Sequence, residues 1–202
     1  MKNIVFVFFL YLLGITTYVQ AQSFKAGISS GISASQISGD THGGFNKAGF
    51  TGGGFVKYDF NETYSGQFEI NYIQKGARKN IQPDKGDYGF YLLRLNYIEI
   101  PVLVKYIHKQ FIFEAGPSVA ALISFTEENQ NGELPKIREF YRYEIGFALG
   151  INYHLTDKVG MNWRYTNSAL PVRKHLSGAT FRTNLGQYSS VIAFTLHYQF
   201  NQ

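Results

Sequence analysis

The residues that could carry catalysis in this sequence are one serine and a few histidines. Acyl transfer requires a hydroxyl nucleophile and a histidine base that a third group orients. Ser168 follows Asn167, and His175 lies in the same polar stretch. However, no serine and histidine share one strand face, and the other strand histidines fall towards the opposite end of the predicted strands. The sequence therefore predicts that the protein is not an enzyme.

A metal or cofactor site is also not expected. The chain contains five histidines and no cysteine, and no two histidines stand at positions i and i+2. A zinc site needs three or four such ligands held together. The absence of cysteine also excludes a disulfide framework and a thiolate nucleophile. We expect no metal and no cofactor.

The clearest pattern is an alternation of apolar and polar residues, seen best over residues 141–154. Tyr141, Ile145 and Tyr153 belong to one wholly apolar set, whereas Glu144 and Asn152 belong to a small or polar set. Successive side chains of a β-strand point to opposite faces, so this segment predicts a strand with one apolar face. Aromatic residues at both ends of an aliphatic centre are typical of a strand that crosses a lipid bilayer.

Seven further segments repeat this alternation. The eight predicted strands are residues 24–33, 49–60, 64–75, 90–106, 111–120, 141–154, 159–167 and 188–200. In the fourth, Leu93 and Leu95 share a face with neither Ile98 nor Ile100, so a β-bulge near Asn96 and Tyr97 is predicted. Each strand can cross a bilayer, which takes about 9–11 tilted residues.

The connections between these strands alternate between long and short. Residues 35–47, 76–89, 126–138 and 168–187 form the long loops, and 61–63, 107–110 and 156–158 form the short turns. In an even-stranded antiparallel barrel this order places all short turns at one rim. Outer-membrane barrels have this arrangement, with short periplasmic turns and longer extracellular loops. The sequence predicts an all-β fold, an eight-stranded antiparallel up-and-down transmembrane β-barrel.

Charged residues fall on the face opposite the apolar one. Ten of them are predicted to point into the barrel, namely Lys25, Lys57, Glu69, Arg94, Glu99, Lys105, Glu114, Arg142, Glu144 and Arg164. A basic residue that faces lipid at mid-bilayer costs about 2–4 kcal/mol. Because eight strands leave room only for side chains, we expect Glu69, Glu99, Glu114 and Glu144 to pair with Lys25, Lys57, Arg142 and Arg164 in a plugged interior.

The first 21 residues read as a secretory signal peptide. Lys2 precedes an apolar run over residues 4–15, and Ala21 fits a cleavage site. An N-terminal anchor helix is the alternative. The barrel domain would then be residues 22–202 in the bacterial outer membrane. Removing Lys2 reduces the formal net charge from +5 to +4. A net charge of +4 that is spread along the chain does not indicate nucleic-acid binding.

The long loops contain basic residues that suit phosphate groups. Arginine binds phosphate through two parallel N–H donors. We expect contacts with lipopolysaccharide or a partner from Arg78, Lys79, Arg173, Lys174 and Arg182. Solvated loop charges are the alternative interpretation. The outer-membrane insertion machinery is a further expected partner, because the chain ends on an alternating aromatic strand with Phe200 near its terminus.

Three segments give the chain a family resemblance. NYIQKGARKN (71–80), LNYIEIPVLVKY (95–106) and FEAGPSVAALIS (113–124) resemble the PorT family of outer-membrane β-barrel domains. The resemblance implies a small exported barrel without catalytic residues, and some relatives are associated with a protein secretion and gliding apparatus. We therefore expect a structural or interaction role through the loops. A narrow binder or conduit for a small ligand or ion is the alternative, and a lipid-modifying barrel enzyme is a third.

Overall fold

A computed structural model describes residues 24–40, 43–135, 138–174 and 186–200. The segment that reads as a signal peptide, together with His175 and Arg182, lies outside these residues. Nine strands and one short 3-10 helix occur in the described chain. They are β1 (Lys25–Ser38), β2 (Lys47–Asp59), β3 (Tyr64–Lys79), η1 (Pro83–Lys85), β4 (Tyr91–His108), β5 (Phe111–Asn129), β6 (Gly132–Glu133), β7 (Tyr143–His154), β8 (Val159–Ser168) and β9 (Tyr188–Gln199).

Eight of these strands form a closed antiparallel barrel, as predicted. Each strand pairs with its neighbour along the chain, and β1 pairs with β9 from Gly27 opposite Gln199 to Ser38 opposite Tyr188. β6 is a two-residue strand that pairs only with the end of β5. Closure pairs the edge strands, which is what a sheet surrounded by hydrocarbon requires.

The outer surface of the barrel is apolar. Ile28, Ile32, Ile145, Leu149 and Phe194 all point outward, and Ile32 is 67% exposed. Aromatic rings gather at the rim that carries the short turns, with centroid distances of 5.2 Å for Phe24–Tyr58, 5.5 Å for Tyr64–Tyr106 and 5.3 Å for Phe111–Tyr153. An apolar band bordered by aromatic rings is the exterior of a membrane barrel. Among the described residues, no helix has the length and hydropathy of a membrane span.

Several strands are longer than the sequence predicts, and most of the extensions lie at the rim that carries the long loops. β1 continues to Ser38, β3 to Lys79 and β5 to Asn129. β4 and β5 have 18 and 19 residues, whereas about 9–11 residues cross a bilayer. The sheet therefore projects beyond the apolar band on the loop side.

The predicted register shift near Asn96 and Tyr97 is confirmed, but the extra residue lies on the neighbouring strand. Asn96 pairs with Ser124 and Tyr97 pairs with Leu122, so Ile123 of β5 has no partner. β4 itself keeps one phase along its whole length. Leu93 and Leu95 consequently point inward and are fully buried, and Arg94 points outward, where it pairs with Glu128. The prediction that Arg94 faces the interior was wrong.

The loop-side end of the interior is filled with apolar side chains. The cluster combines strand residues with Phe140, from the connection between β6 and β7, and Val172, from the connection that follows β8. Its buried members are Ile37, Ile73, Ala77, Leu93, Leu95, Tyr97, Ala120, Phe140, Val172 and Val191. We call this group the apolar cap. The interior below it is polar.

Candidate functional site

The polar interior contains a lower ion cluster centred on Arg164 of β8. Its guanidinium donates from Nη1 and Nη2 to the two carboxylate oxygens of Glu69, each at 2.7 Å. Its Nε donates to Glu114 Oε1, also at 2.7 Å. Lys105 Nζ lies 3.1 Å from Glu114 Oε2. Two cations thus face two carboxylates across the barrel.

Amide side chains complete the lower cluster. Asn152 and Asn162 each donate to Glu114 at 2.8 Å. Gln67 and Asn71 each donate to Glu69 at 2.6 Å. All these residues sit at inward positions of their strands, which is why the period-two pattern brings them together. Buried carboxylates with this many charge-assisted donors are held firmly in place.

An upper ion cluster lies between the lower cluster and the apolar cap. Lys75 Nζ lies 2.9 Å from Glu99 Oε1 and 2.9 Å from Glu144 Oε1. It also lies 5.1 Å from the centre of the Tyr97 ring. The Lys75 side chain is 0% exposed. Sequence analysis did not predict Lys75 as the cation that pairs with Glu99 and Glu144. The signal was present, because Lys75 lies on the same face of its strand as Glu69 and Asn71.

The other predicted interior charges have different partners. Lys25 and Lys57 pair with Asp59, at 3.0 and 2.9 Å, near the short-turn rim, so neither pairs with a glutamate of the two clusters. Arg142 is exposed and its guanidinium lies over the Tyr143 ring at 5.8 Å. Its predicted interior position was wrong because β7 begins only at Tyr143, and Arg142 precedes the wall of the barrel.

Arg173 is placed differently from its prediction as a loop contact. It is 2% exposed and lies over the Phe140 ring at 4.2 Å. Its Nε donates to Gln187 at 2.8 Å, and its Nη1 donates to Glu127 at 2.9 Å. The guanidinium therefore ties two connections to the end of β5 above the apolar cap, and the prediction of an exposed contact was wrong.

The remaining described loop cations lie near the surface. Arg78 is exposed at the outer end of β3 and donates to Asn80 at 2.7 Å. Lys79 pairs with Asp87 at 2.8 Å. Lys174 is exposed, and its carbonyl accepts a hydrogen bond from Arg138 at 2.9 Å. Arg78 and Lys174 are thus available to a partner at the loop-side rim.

Ser168 is the candidate nucleophile, and its candidate base, His175, lies outside the described residues. The Ser168 side chain is buried, and its hydroxyl oxygen accepts a hydrogen bond from the Ser189 amide at 2.9 Å. Within the described ranges, no three histidine, aspartate or glutamate side chains come together in a way that could hold a metal ion.

An apolar exterior, a polar interior and closed antiparallel pairing define a small outer-membrane β-barrel. Residues 20–170 match the family model described as "Outer membrane protein beta-barrel domain". The chain belongs to this family, which places it in the bacterial outer membrane. A comparison with curated protein sequences found no match.

Solved structures support the fold. The crystal structure of Neisserial surface protein A (NspA) has a TM-score of 0.53 at 13% identity and covers 88% of this chain and 97% of NspA. The crystal structure of Ail from Yersinia pestis, in complex with the heparin analogue sucrose octasulfate, has a TM-score of 0.50 at 11% identity. It covers 88% of this chain and 99% of Ail. At these identities the likeness concerns the fold alone.

Proposed function

We propose that the protein is a non-conducting outer-membrane barrel with a structural or interaction role at its extracellular rim. The observation that carries this proposal is the filling of the interior at two levels. The two ion clusters cross the middle of the barrel, and the apolar cap closes the end with the long loops. An ion that entered would have to break buried ion pairs and then cross an apolar layer, and both steps are costly.

Planar-bilayer recordings test the closed interior. We expect the purified barrel to give no steady single-channel steps in symmetric salt. A variant in which Phe140, Leu93 and Leu95 are all replaced by glycine removes three of the ten side chains of the apolar cap and should show transient current. Steady steps from the wild-type protein at every applied voltage would overturn the proposal and favour a conduit.

We further propose that the role is of the PorT type and is linked to protein secretion or envelope assembly. The supporting observations are the three PorT-like segments and the loop-side ends of β3, β4 and β5, which project beyond the apolar band. A photo-reactive amino acid at Arg78 or Lys174 should cross-link to envelope proteins in the native membrane. The same amino acid at Leu149, on the lipid-facing surface, is the matched control. Equal protein cross-linking from all three positions would contradict a role confined to the rim.

Lipopolysaccharide is the lipid partner that we propose for the rim. Arg78 lies opposite Leu92 and Arg94 lies opposite Gly76, so the two arginines are diagonal neighbours on the outer surface of β3 and β4. Both lie just above the apolar band, at the level of lipid phosphate groups. Replacing Arg78 with glutamine should weaken co-purification of lipopolysaccharide, whereas replacing Lys158 at the opposite rim should leave it unchanged. Equal lipid content in both variants would refute the contact.

A further inference from the structure

A cavity lies inside the barrel at the rim with the short turns, away from the apolar cap. It has a volume of about 50 Å³ and its lining includes Phe55, Lys57, Lys105, Asn152, His154 and His197. This volume has room for about three or four water molecules, or for a group the size of a carboxylate or phosphate. Asp157 and Lys158 of the β7–β8 turn border it, so the cavity opens to the periplasmic side.

Two lysine amines in this lining have spare hydrogen-bonding capacity. The side chains of Lys57 and Lys105 are only 11% and 4% exposed. Among the described residues, Lys57 has one carboxylate partner, Asp59, and Lys105 has one, Glu114. An ammonium group carries three N–H donors. Each buried amine can therefore donate to an additional acceptor inside the cavity.

A buried hydroxyl lies between the strands that carry these lysines. Ser65 of β3 is directly opposite Asp59 on β2 and Lys105 on β4. Its side chain is 0% exposed, and its Oγ has no hydrogen-bond partner among the described residues. A buried hydroxyl without a partner is unfavourable, but Ser65 is not one of the residues that line the cavity. A ligand in the cavity would therefore contact the two lysines and not this hydroxyl.

The charges around the cavity also leave a positive excess. The cations here and in the adjoining lower cluster are Lys25, Lys57, Lys105, Lys158 and Arg164. The carboxylates are Asp59, Asp157, Glu69 and Glu114. Five positive charges against four negative ones leave a net charge of +1 among these described residues. His154 and His197 can only add positive charge when they bind protons.

We propose that this cavity binds the oxyanion group, carboxylate or phosphate, of a small ligand that enters from the periplasm. Lys57 and Lys105 would donate to its oxygens. Phe55, whose ring is tilted against that of His197 with centroids 5.5 Å apart, would form an apolar wall beside it. This inference is independent of any role at the extracellular rim.

Titration of the refolded barrel in zwitterionic lipid vesicles tests the site. Sodium phosphate and sodium acetate are the probes, added at constant ionic strength with sodium chloride as the background salt. We expect one of them to bind with saturable heat in isothermal titration calorimetry. Amide NMR shifts in detergent micelles should be confined to residues near 57, 65, 105 and 154. The stronger of the two probes identifies phosphate or carboxylate as the preferred group.

Variants separate specific binding from a general effect of charge. Lys57→Met should weaken binding at least tenfold, whereas Ser65→Ala, which removes a hydroxyl outside the cavity lining, should leave binding unchanged. Lys79→Met, which removes a lysine at the opposite rim, is the matched control and should bind as the wild type does. No saturable binding of either probe, equal competition by chloride, or unchanged binding by Lys57→Met would each overturn the proposal.

Discussion

Lys75 shows how a single buried cation organises the upper half of the interior. It serves two carboxylates, Glu99 and Glu144, at the same 2.9 Å distance. Among the described residues, the second oxygen of Glu144 and the hydroxyl of Tyr97 have no hydrogen-bond partner. The cluster therefore carries one carboxylate more than its single cation can neutralise. Removing the cation and removing the surplus carboxylate should have opposite consequences.

We predict that Lys75→Met destabilises the barrel strongly and that Glu144→Gln is neutral or stabilising. Loss of Lys75 leaves two buried carboxylates without a cation, and breaking a buried pair in this way costs about 3–5 kcal/mol. Glu144→Gln retains the hydrogen bond to Lys75 and removes only the surplus charge. The measurement is the free energy of unfolding in urea from lipid vesicles, with Lys79→Met as a surface control. Equal destabilisation by both substitutions would refute the charge imbalance.

Period-two patterning assigns side chains to faces of a strand, but it does not give their height in the barrel. It correctly placed Glu69 and Arg164 on inward faces, yet their pairing depends on the relative positions of strands that are distant in sequence. The same limit explains Arg142. Its place in the alternation is inward, but it precedes Tyr143, the first residue of β7. Lys75 is the opposite case, because the sequence predicts that the third strand ends at Lys75, whereas β3 continues to Lys79.

Strand β4 shows why an apolar residue need not face lipid. The sequence places Leu93 and Leu95 out of phase with Ile98 and Ile100 if every apolar face is assumed to be outside. In the structure the interior changes from polar to apolar towards the loop side, so Leu93 and Leu95 join the apolar cap without any change of phase in β4. The bulge that was predicted from this mismatch exists, but its extra residue, Ile123, belongs to β5.

The connection after β8 is held by a clasp that should depend on pH. Burial acts to raise the pKa of Glu127, but hydrogen bonds from Arg173 and Tyr91 outweigh it and lower that pKa below the usual glutamate range. A carboxyl group with a lowered pKa in the folded state stabilises the fold above its ordinary pKa. This stabilisation is lost as the pH falls through the lowered value.

We predict that the segment bearing Arg173 loosens on acidification. Protonated Glu127 no longer attracts the guanidinium, so hydrogen exchange of residues 170–174 should be faster at a pH well below the ordinary glutamate range than at pH 7. Exchange is compared after correction for its intrinsic pH dependence. Glu127→Gln should show the loosened state already at pH 7. A wild-type segment that stays equally protected at both pH values would contradict the clasp.

Over most of the height of the barrel, the distribution of polar and apolar side chains is the reverse of that in a water-soluble domain. Apolar side chains such as Ile32 and Phe194 cover the outside, and ion pairs fill the inside. The alternation of faces and the alternation of long and short connections were enough to predict this architecture. They were not enough to predict the apolar cap, because Phe140 and Val172 lie in connections whose sequences have no strand period.

We predict that an outward arginine is tolerated according to its depth. Leu149→Arg places a charge at the middle of β7 and should cost about 2–4 kcal/mol of stability in a bilayer, whereas Ala48→Arg near the loop-side end of β2 should cost about 0–1 kcal/mol. Urea unfolding in vesicles, or the fraction that keeps its folded mobility in gel electrophoresis without heating, measures the difference. Similar costs at both positions would argue against the assigned bilayer level.

The apolar cap has a consequence for the order of assembly. It unites Ile37 from β1 with Val191 from β9, together with Phe140 and Val172 from two connections. Ile37 and Val191 can meet only after the first and last strands have paired. A chain arrested before that seam closes leaves these apolar side chains exposed to water, and transiently exposed apolar surface makes a folding intermediate prone to aggregation. Closure of the barrel therefore removes the open sheet edges and this apolar surface in the same step.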